Sequence, residues 1–149
     1  MSLQQGLMIK LKEAMKAKDS VALESLRAVK SEILLVQTKG GALNELTKEE
    51  EIKLLQKLVK QRKDSAAIYK EQGRADLAEL ELAQIAVISQ FLPEQMSEDE
   101  LKKVIADIMN TLGATSIKDM GKVMGMASKQ LAGKADGKAI STVVKQLLA

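Results

Sequence analysis

The sequence predicts an all-α fold in two domains: an N-terminal bundle of about four helices over residues 1–95 and a compact three-helix C-terminal domain over residues 96–149. The hydrophobic residues are mostly Leu, Ala, Met, Ile and Val, with one Phe, one Tyr and no Trp. Helices accept this set more readily than sheets do. Apolar residues recur every three or four positions, and no segment alternates with the period of a strand. The single proline, Pro93, marks the boundary between the domains.

Apolar stripes predict the first two helices. The first runs from about Leu3 to Ala17, and the second starts at a cap, Asp19 or Ser20. Gly40-Gly41 is expected to stop the second helix. The stripe residues lie three or four positions apart. They are Leu3, Leu7, Leu11 and Met15 in the first helix and Leu26, Val29, Ile33 and Val36 in the second.

The third and fourth helices are predicted from their ends and their apolar residues. Thr47 followed by Glu50 forms a capping box that starts a long third helix, which Gly73 can end. The fourth helix is predicted from about Asp76 to Phe91. Because its apolar residues lie on more than one side, we expect it to be the central and most buried helix.

The segment Leu92-Pro93-Glu94-Gln95-Met96 is the predicted boundary, because the proline ring pushes the preceding residue out of helical geometry. A second capping box, Ser97-Glu98-Asp99-Glu100, then opens the fifth helix, and Gly113 ends it. Ser116 and Asp136 are expected to start the sixth and seventh helices. The apolar stripes of these helices are Leu101, Val104, Ile105, Ile108 and Leu112; Ile117, Met120, Met124, Ala127 and Leu131; and Ile140, Val143, Val144 and Leu147.

The chain contains no Cys and no His. This excludes thiol nucleophiles, imidazole bases, disulfides and ordinary zinc sites. No calcium-loop or Gly-rich phosphate-binding motif occurs either. We therefore predict no catalytic residue, no metal and no cofactor, and we expect no enzymatic activity from the chain by itself. The longest apolar runs are too short to span a membrane and no signal peptide is visible, so we expect a cytoplasmic protein with no membrane partner.

Basic residues are concentrated near the C terminus, although the net charge is only +3. Between residues 118 and 145, six lysines stand against two aspartates. A local positive excess is what a phosphate backbone requires, but a solvated helix face has the same pattern. The predicted nucleic-acid-binding residues are Lys118, Lys122, Lys129, Lys134 and Lys138. A second basic surface is predicted where antiparallel helices would bring together Arg27, Lys30, Lys60 and Lys63.

Arg62 interrupts the apolar stripe of the third helix. Burying a guanidinium costs on the order of several kcal/mol unless a carboxylate partner is present. Glu79 and Glu81, near the start of the fourth helix, are the expected partners in an interhelical ion pair. The alternative is that Arg62 binds an anion such as RNA.

Glycines in the C-terminal region point to close approaches of the backbone. Gly121 and Gly125 lie on one side of the sixth helix, where each costs about 1 kcal/mol relative to alanine. The compensating neighbour is either another helix or an RNA backbone. The segment Gly133-Lys134-Ala135-Asp136-Gly137-Lys138 ends one helix and starts the next. Its two lysines therefore flank a helix N-terminus that favours anions, although an ordinary turn has the same sequence.

Taken together, these motifs resemble those of the YqeY-like protein family. That family is related to the C-terminal tail of GatB, the B subunit of the tRNA-dependent amidotransferase. The matching stretches span nearly the whole chain in order. They are Met15-Lys16-Ala17-Lys18-Asp19, Leu26-Arg27, Lys60-Gln61-Arg62-Lys63-Asp64-Ser65, Gly73-Arg74-Ala75-Asp76-Leu77, Phe91-Leu92-Pro93-Glu94-Gln95-Met96-Ser97, Lys118-Asp119-Met120-Gly121-Lys122-Val123-Met124-Gly125 and Gly133-Lys134-Ala135-Asp136-Gly137-Lys138.

The resemblance implies a two-domain helical fold whose C-terminal part is related to a tRNA-contacting appendage. Two hypotheses follow. The first is a non-catalytic accessory protein that binds tRNA or another structured RNA. The second is an adaptor that joins amidotransferase subunits and contributes to a carbon–nitrogen ligase, with glutamine as amido-N-donor, only within that assembly.

Overall fold

The computed structural model describes residues 2–39 and 45–149, so the predicted stop at Gly40-Gly41 lies outside the described residues. Within those ranges the chain forms seven α-helices and one 3-10 turn, with no strand. The helices are α1 (Leu3–Ala17), α2 (Ser20–Thr38), α3 (Lys48–Glu71), α4 (Ala75–Ser89), α5 (Glu98–Leu112), α6 (Met120–Gln130) and α7 (Gly137–Leu148), with the 3-10 turn at Ile117–Asp119 before α6. The all-α prediction is confirmed.

The chain divides into two compact units, Met1–Leu92 and Pro93–Ala149, which we call the N-terminal and C-terminal units. Each has a separate apolar core, built from α1 to α4 in one and α5 to α7 in the other. In the N-terminal unit, α4 packs on α3 and α2, and α1 packs on α2. The division into domains 1–95 and 96–149 that fold independently stays a prediction.

The predicted capping residues form the caps that the sequence requires. The Thr47 and Ser97 side chains accept hydrogen bonds from the backbone N–H groups of Glu50 and Glu100, whose carboxylates accept in return from the cap N–H groups. Such reciprocal pairs satisfy donors that a helix start leaves without partners. Gly113 adopts the left-handed conformation at the end of α5, with φ of 67°.

The apolar stripe of α1 rotates away from the predicted line. Leu3 and Leu7 are buried, but Met15 is 57% exposed and Ala14 is buried in its place. Residues four apart advance by about 400°, so each step of a strict i,i+4 stripe drifts by about 40° around the helix. After three steps Met15 has left the core, whereas Ala14 is back in line with Leu3.

The expectation that α4 is the most buried helix is wrong. Only Ala78 and Ile88 of this helix are buried, and Leu80 and Leu82 are 49% and 43% exposed. The helix packs against α2 and α3 along one side. Leu80 and Leu82 therefore face outward, whereas Ile85 and Val87 are partly buried against the core.

Candidate nucleic-acid interface

The outer side of α6 carries two of the five predicted lysines, and a third lies just before the helix. Lys122 and Lys129 are seven residues apart, which is about two helical turns, so both lie on one side of α6. Val123 and Ala127, on the other side, are fully buried in the core of the C-terminal unit. Lys118 precedes the helix in the 3-10 turn, and all three lysines are exposed. Because the opposite side of α6 is buried, these lysines point outward. We call the surface formed by Lys118, Lys122 and Lys129 the α6 face.

Gly125 lies between Lys122 and Lys129 on the α6 face, and Gly121 lies beside it. A Cβ atom added at either glycine would meet no heavy atom within 4 Å. Another helix of this chain was one expected explanation for these glycines, and the structure contradicts it. The backbone of α6 is open to an outside partner at the place where the lysines project.

The connection between α6 and α7 holds Lys134 in a fixed backbone position. Gly133 is buried with φ of 79°, and its carbonyl accepts a hydrogen bond of 2.6 Å from Nε2 of Gln95. The carbonyl of Lys134 accepts another, of 2.9 Å, from the Met96 N–H. The side chain of Lys134 is exposed. Residues just before α5 thus brace the turn that presents this lysine.

Lys138 lies in the first turn of α7, next to the helix cap. Asp136 is the N-cap, and its Oδ1 accepts a hydrogen bond of 2.7 Å from the Ala139 N–H. One of the free N–H groups at this helix start is therefore satisfied from within the chain. Because a carboxylate already lies at this helix end, Lys134 and Lys138 are better candidates for contacts with an anion than the helix N-terminus is.

Acidic and basic residues are concentrated in different parts of the C-terminal unit's sequence. Residues 93–116 contain five acidic residues and two lysines, and residues 117–149 contain six lysines and two aspartates. Glu98, Asp99 and Glu100 occupy the first turn of α5, where the positive end of the helix dipole favours them. A polyanion would therefore be attracted to the lysines of α6 and α7 and repelled from the start of α5.

The second predicted basic surface is spread over two flanks of the N-terminal unit. Lys57 on α3 contacts Glu32 of α2 at 2.6 Å, so the Glu32 side of α2 faces α3. Lys30 is two residues from Glu32 and points to the opposite side. It shares its side with Gln37, which accepts a hydrogen bond of 3.5 Å from Gln4 of α1.

Arg27 is one turn from Lys30 and lies on the same flank, towards α1. Lys60 and Lys63 lie one turn apart on α3. All four residues of the set are exposed. The structure thus brings Arg27 and Lys30 together beside α1, and Lys60 and Lys63 together on α3.

Arg62 contacts neutral oxygen atoms and not the expected carboxylates of Glu79 and Glu81. Its Nε donates to Oε1 of Gln84 at 2.9 Å and its Nη1 donates to the Leu58 carbonyl at 3.1 Å. The side chain is only partly buried, so the guanidinium keeps part of its hydration and needs no full charge opposite it. The predicted ion pair is wrong, and Arg62 serves as a hydrogen-bonded link between α3 and α4.

The turn between α3 and α4 contains a bidentate ion pair. Arg74 donates from Nε and Nη2 to the two carboxylate oxygens of Asp76, at 3.1 and 3.0 Å. These hydrogen bonds hold the pKa of Asp76 below its ordinary value and raise that of Arg74. The pair lies in the N-terminal unit and organises the start of α4.

No cluster of acidic side chains among the described residues could hold a metal ion. None of the helices in that part of the chain is long and apolar enough to cross a membrane.

Comparison with known proteins gives a family and two relatives. A family model described as Yqey-like protein matches residues 4–148. Two fungal proteins named "Altered inheritance of mitochondria protein 41, mitochondrial" are also similar. The one from Clavispora lusitaniae is 33% identical over 85% of this chain and 72% of its own length. The one from Pyrenophora tritici-repentis is 26% identical over 93% of this chain and 76% of its own length.

The relatives' names correct the expected cytoplasmic location. Both relatives are named as mitochondrial proteins, and this finding contradicts the expectation of a cytoplasmic protein. The cytoplasmic expectation was wrong because it rested only on the absence of a recognisable signal.

Proposed function

Because the chain belongs to the YqeY-like family, we propose that it is a non-catalytic accessory protein that binds tRNA or another structured RNA through its C-terminal unit. The binding residues in this proposal are Lys118, Lys122, Lys129, Lys134 and Lys138. The family resemblance to a tRNA-contacting tail suggests the ligand class. The residues of the chain suggest how the contact is made.

The proposal rests mainly on the structure of the α6 face. Its lysines are exposed and held by a buried opposite side, and the backbone at Gly121 and Gly125 is open. A phosphate backbone can therefore come close to the helix while Lys122 and Lys129 reach its oxygens from either side of Gly125. Lysine binds phosphate as a flexible point charge, so the contact requires no precise bidentate geometry.

Recognition in this proposal follows phosphate position and RNA shape. The two aromatic residues, Tyr69 and Phe91, are both partly buried and lie in the N-terminal unit. Base stacking on aromatic side chains, which single-strand binders use, therefore contributes little. Affinity should depend strongly on salt and weakly on base sequence.

The test is the salt dependence of tRNA binding by a triple variant, Lys122→Gln, Lys134→Gln and Lys138→Gln. Each phosphate contact contributes about −0.9 to the slope of log K against log salt concentration on a duplex. The variant should bind more weakly, and its slope should be shallower by about two to three. The matched control replaces Arg27, Lys30 and Lys60 by Gln and should change the slope less. A triple variant with wild-type affinity and slope would remove these lysines from the proposal.

The alternative proposal is an adaptor in a glutamine-dependent amidotransferase, with carbon–nitrogen ligase activity only in the assembly. It rests on the family resemblance, and in this alternative glutamine hydrolysis and amide transfer belong to other subunits of the assembly. Stable association with amidotransferase subunits, without affinity for tRNA, would favour this alternative.

A further inference from the structure

The outward side of α1 exposes apolar residues that the core of the N-terminal unit does not use. Met8, Ile9 and Met15 are 48%, 46% and 57% exposed. The opposite side of the same helix buries Leu3 and Leu7 against the core. Helix α1 is therefore apolar on two sides, and only one of them is covered by the described part of this chain.

Basic side chains share this outward side. Ile9, Lys12 and Lys16 follow the spacing i, i+3, i+7 and project in nearly the same direction, with Met8 and Met15 on the flank next to α2. Among the described residues no ion pair joins Lys12 or Lys16 to an acid, whereas the neighbouring Lys10 contacts Glu13 at 3.1 Å. The outward side of α1 thus combines exposed apolar side chains with lysines that have no opposite charge.

Helix α2 continues this surface along its edge. The hydrogen bond between Gln4 and Gln37 shows which flank of α2 lies beside α1. Lys30 is two turns from Gln37 on that flank, and Arg27 and Leu34 lie one turn from Lys30 in either direction. Leu34 is 56% exposed. We call the combined feature the α1–α2 surface. Its apolar members are Met8, Ile9, Met15 and Leu34, and its basic members are Lys12, Lys16, Arg27 and Lys30.

The depression lined by Gln4, Gln5, Met8 and Ile9 is widely open to solvent. Glu13 and Glu24 lie only at the edges of the α1–α2 surface, and Glu13 is paired with Lys10. Two copies of the chain packed through this surface would bring lysines against lysines, which disfavours a symmetric dimer.

We propose that the α1–α2 surface binds to an anionic lipid membrane, with its apolar side chains at the level of the headgroups and its basic side chains on lipid phosphates. A helix that combines an apolar face with lysines and arginines lies in the membrane interface in this way. Exposed aliphatic side chains have no role in phosphate contacts to RNA but add to binding at a bilayer. The expectation of no membrane partner rests on the absence of a spanning segment, and interfacial binding does not require one.

Vesicle sedimentation of the full chain tests the proposal without any RNA. The probes are vesicles of phosphatidylcholine alone and vesicles with 30% phosphatidylserine, at low and at physiological salt. Each lysine near an anionic surface contributes a factor of roughly five in partitioning. The chain should bind the anionic vesicles, bind neutral ones far less, and dissociate as salt rises.

Two variants separate the apolar and the basic contributions. Lys12→Gln with Lys16→Gln should lower partitioning roughly 20-fold or more. Met8→Gln with Met15→Gln should lower partitioning into anionic vesicles at least several-fold and leave its dependence on salt unchanged. Circular dichroism of both variants should match the wild type, because all four side chains are exposed.

Matched controls replace exposed apolar or basic residues on other surfaces. Leu80→Gln with Leu82→Gln alters exposed apolar residues of α4, and Lys53→Gln with Lys70→Gln removes two exposed charges from α3. Neither pair should change vesicle binding appreciably.

The proposal is overturned by absence of binding to anionic vesicles at low salt, or by a loss in the control variants equal to that in the α1 variants. Binding to soluble polyglutamate but not to vesicles would also overturn it, in favour of an acidic protein partner. Because no RNA is present, the result is independent of the proposed RNA binding, and either can fail alone.

Discussion

Replacing Gly125 by alanine should make the protein more stable and weaken its binding to tRNA. Gly125 is inside α6, and a Cβ there meets nothing within 4 Å, so the substitution introduces no clash. Alanine in a helix interior is favoured over glycine by about 1 kcal/mol, because glycine loses more backbone entropy on folding. The melting temperature should rise by roughly 4–8 °C if the C-terminal unit unfolds by itself, and by roughly 2–4 °C if the whole chain unfolds as one.

Urea denaturation followed by circular dichroism measures the first effect, and tRNA titration measures the second. Gly113→Ala is the matched control, because its added Cβ also meets open space but φ is 67°. An L-residue in that left-handed conformation costs about 1–2 kcal/mol, so this variant should be less stable. If Gly125→Ala lowered stability, the backbone of α6 would not be open. If it raised stability and left tRNA affinity unchanged, no ligand would approach α6 closely.

Three further outcomes are expected. Arg62→Ala should lower the free energy of unfolding, measured by urea titration, by about 1–2 kcal/mol, because hydrogen bonds to neutral groups such as Gln84 are lost. A loss of about 3–5 kcal/mol would indicate a buried ion pair instead. The pKa of Asp76, followed by NMR, should lie below its ordinary value and rise in Arg74→Ala. Since the folded-state pKa is the lower one, this pair stabilises the fold above the unfolded pKa, and its contribution is lost as pH falls through the folded pKa. The isolated fragment 93–149 should be helical and melt cooperatively; a fragment without cooperative melting would contradict an independent C-terminal domain.

The sequence predicts the helices well because their ends depend on local chemistry. The capping boxes at Thr47 and Ser97 and the left-handed glycine at Gly113 each involve residues within one turn of the helix end. Such interactions form whatever the rest of the fold does. The start of α6 is predicted less accurately. Ser116 is the N-cap of a short 3-10 turn that precedes the helix, and Ile117 is exposed.

Features that depend on neighbouring helices could not be predicted in the same way. The sequence identifies Arg62 as an unusual residue in an apolar stripe, but its partner depends on how α3 and α4 are aligned and on how much water remains around the guanidinium. The outward faces of α1 and α4 look like core in the sequence, because an apolar residue has the same pattern whether or not a neighbour covers it. The open backbone at Gly121 and Gly125 likewise follows only from the absence of a neighbouring helix there.

The most direct test of RNA binding is the affinity of the wild-type chain for tRNA as a function of salt concentration. If the five lysines of the C-terminal unit each neutralise one phosphate, log K should fall linearly with log salt, with a slope of about −4 to −5. Weak dependence on base sequence should accompany this slope, because the contacts are to the backbone. A chain with no measurable affinity for tRNA near physiological salt, or with a slope near zero, would contradict the proposed function.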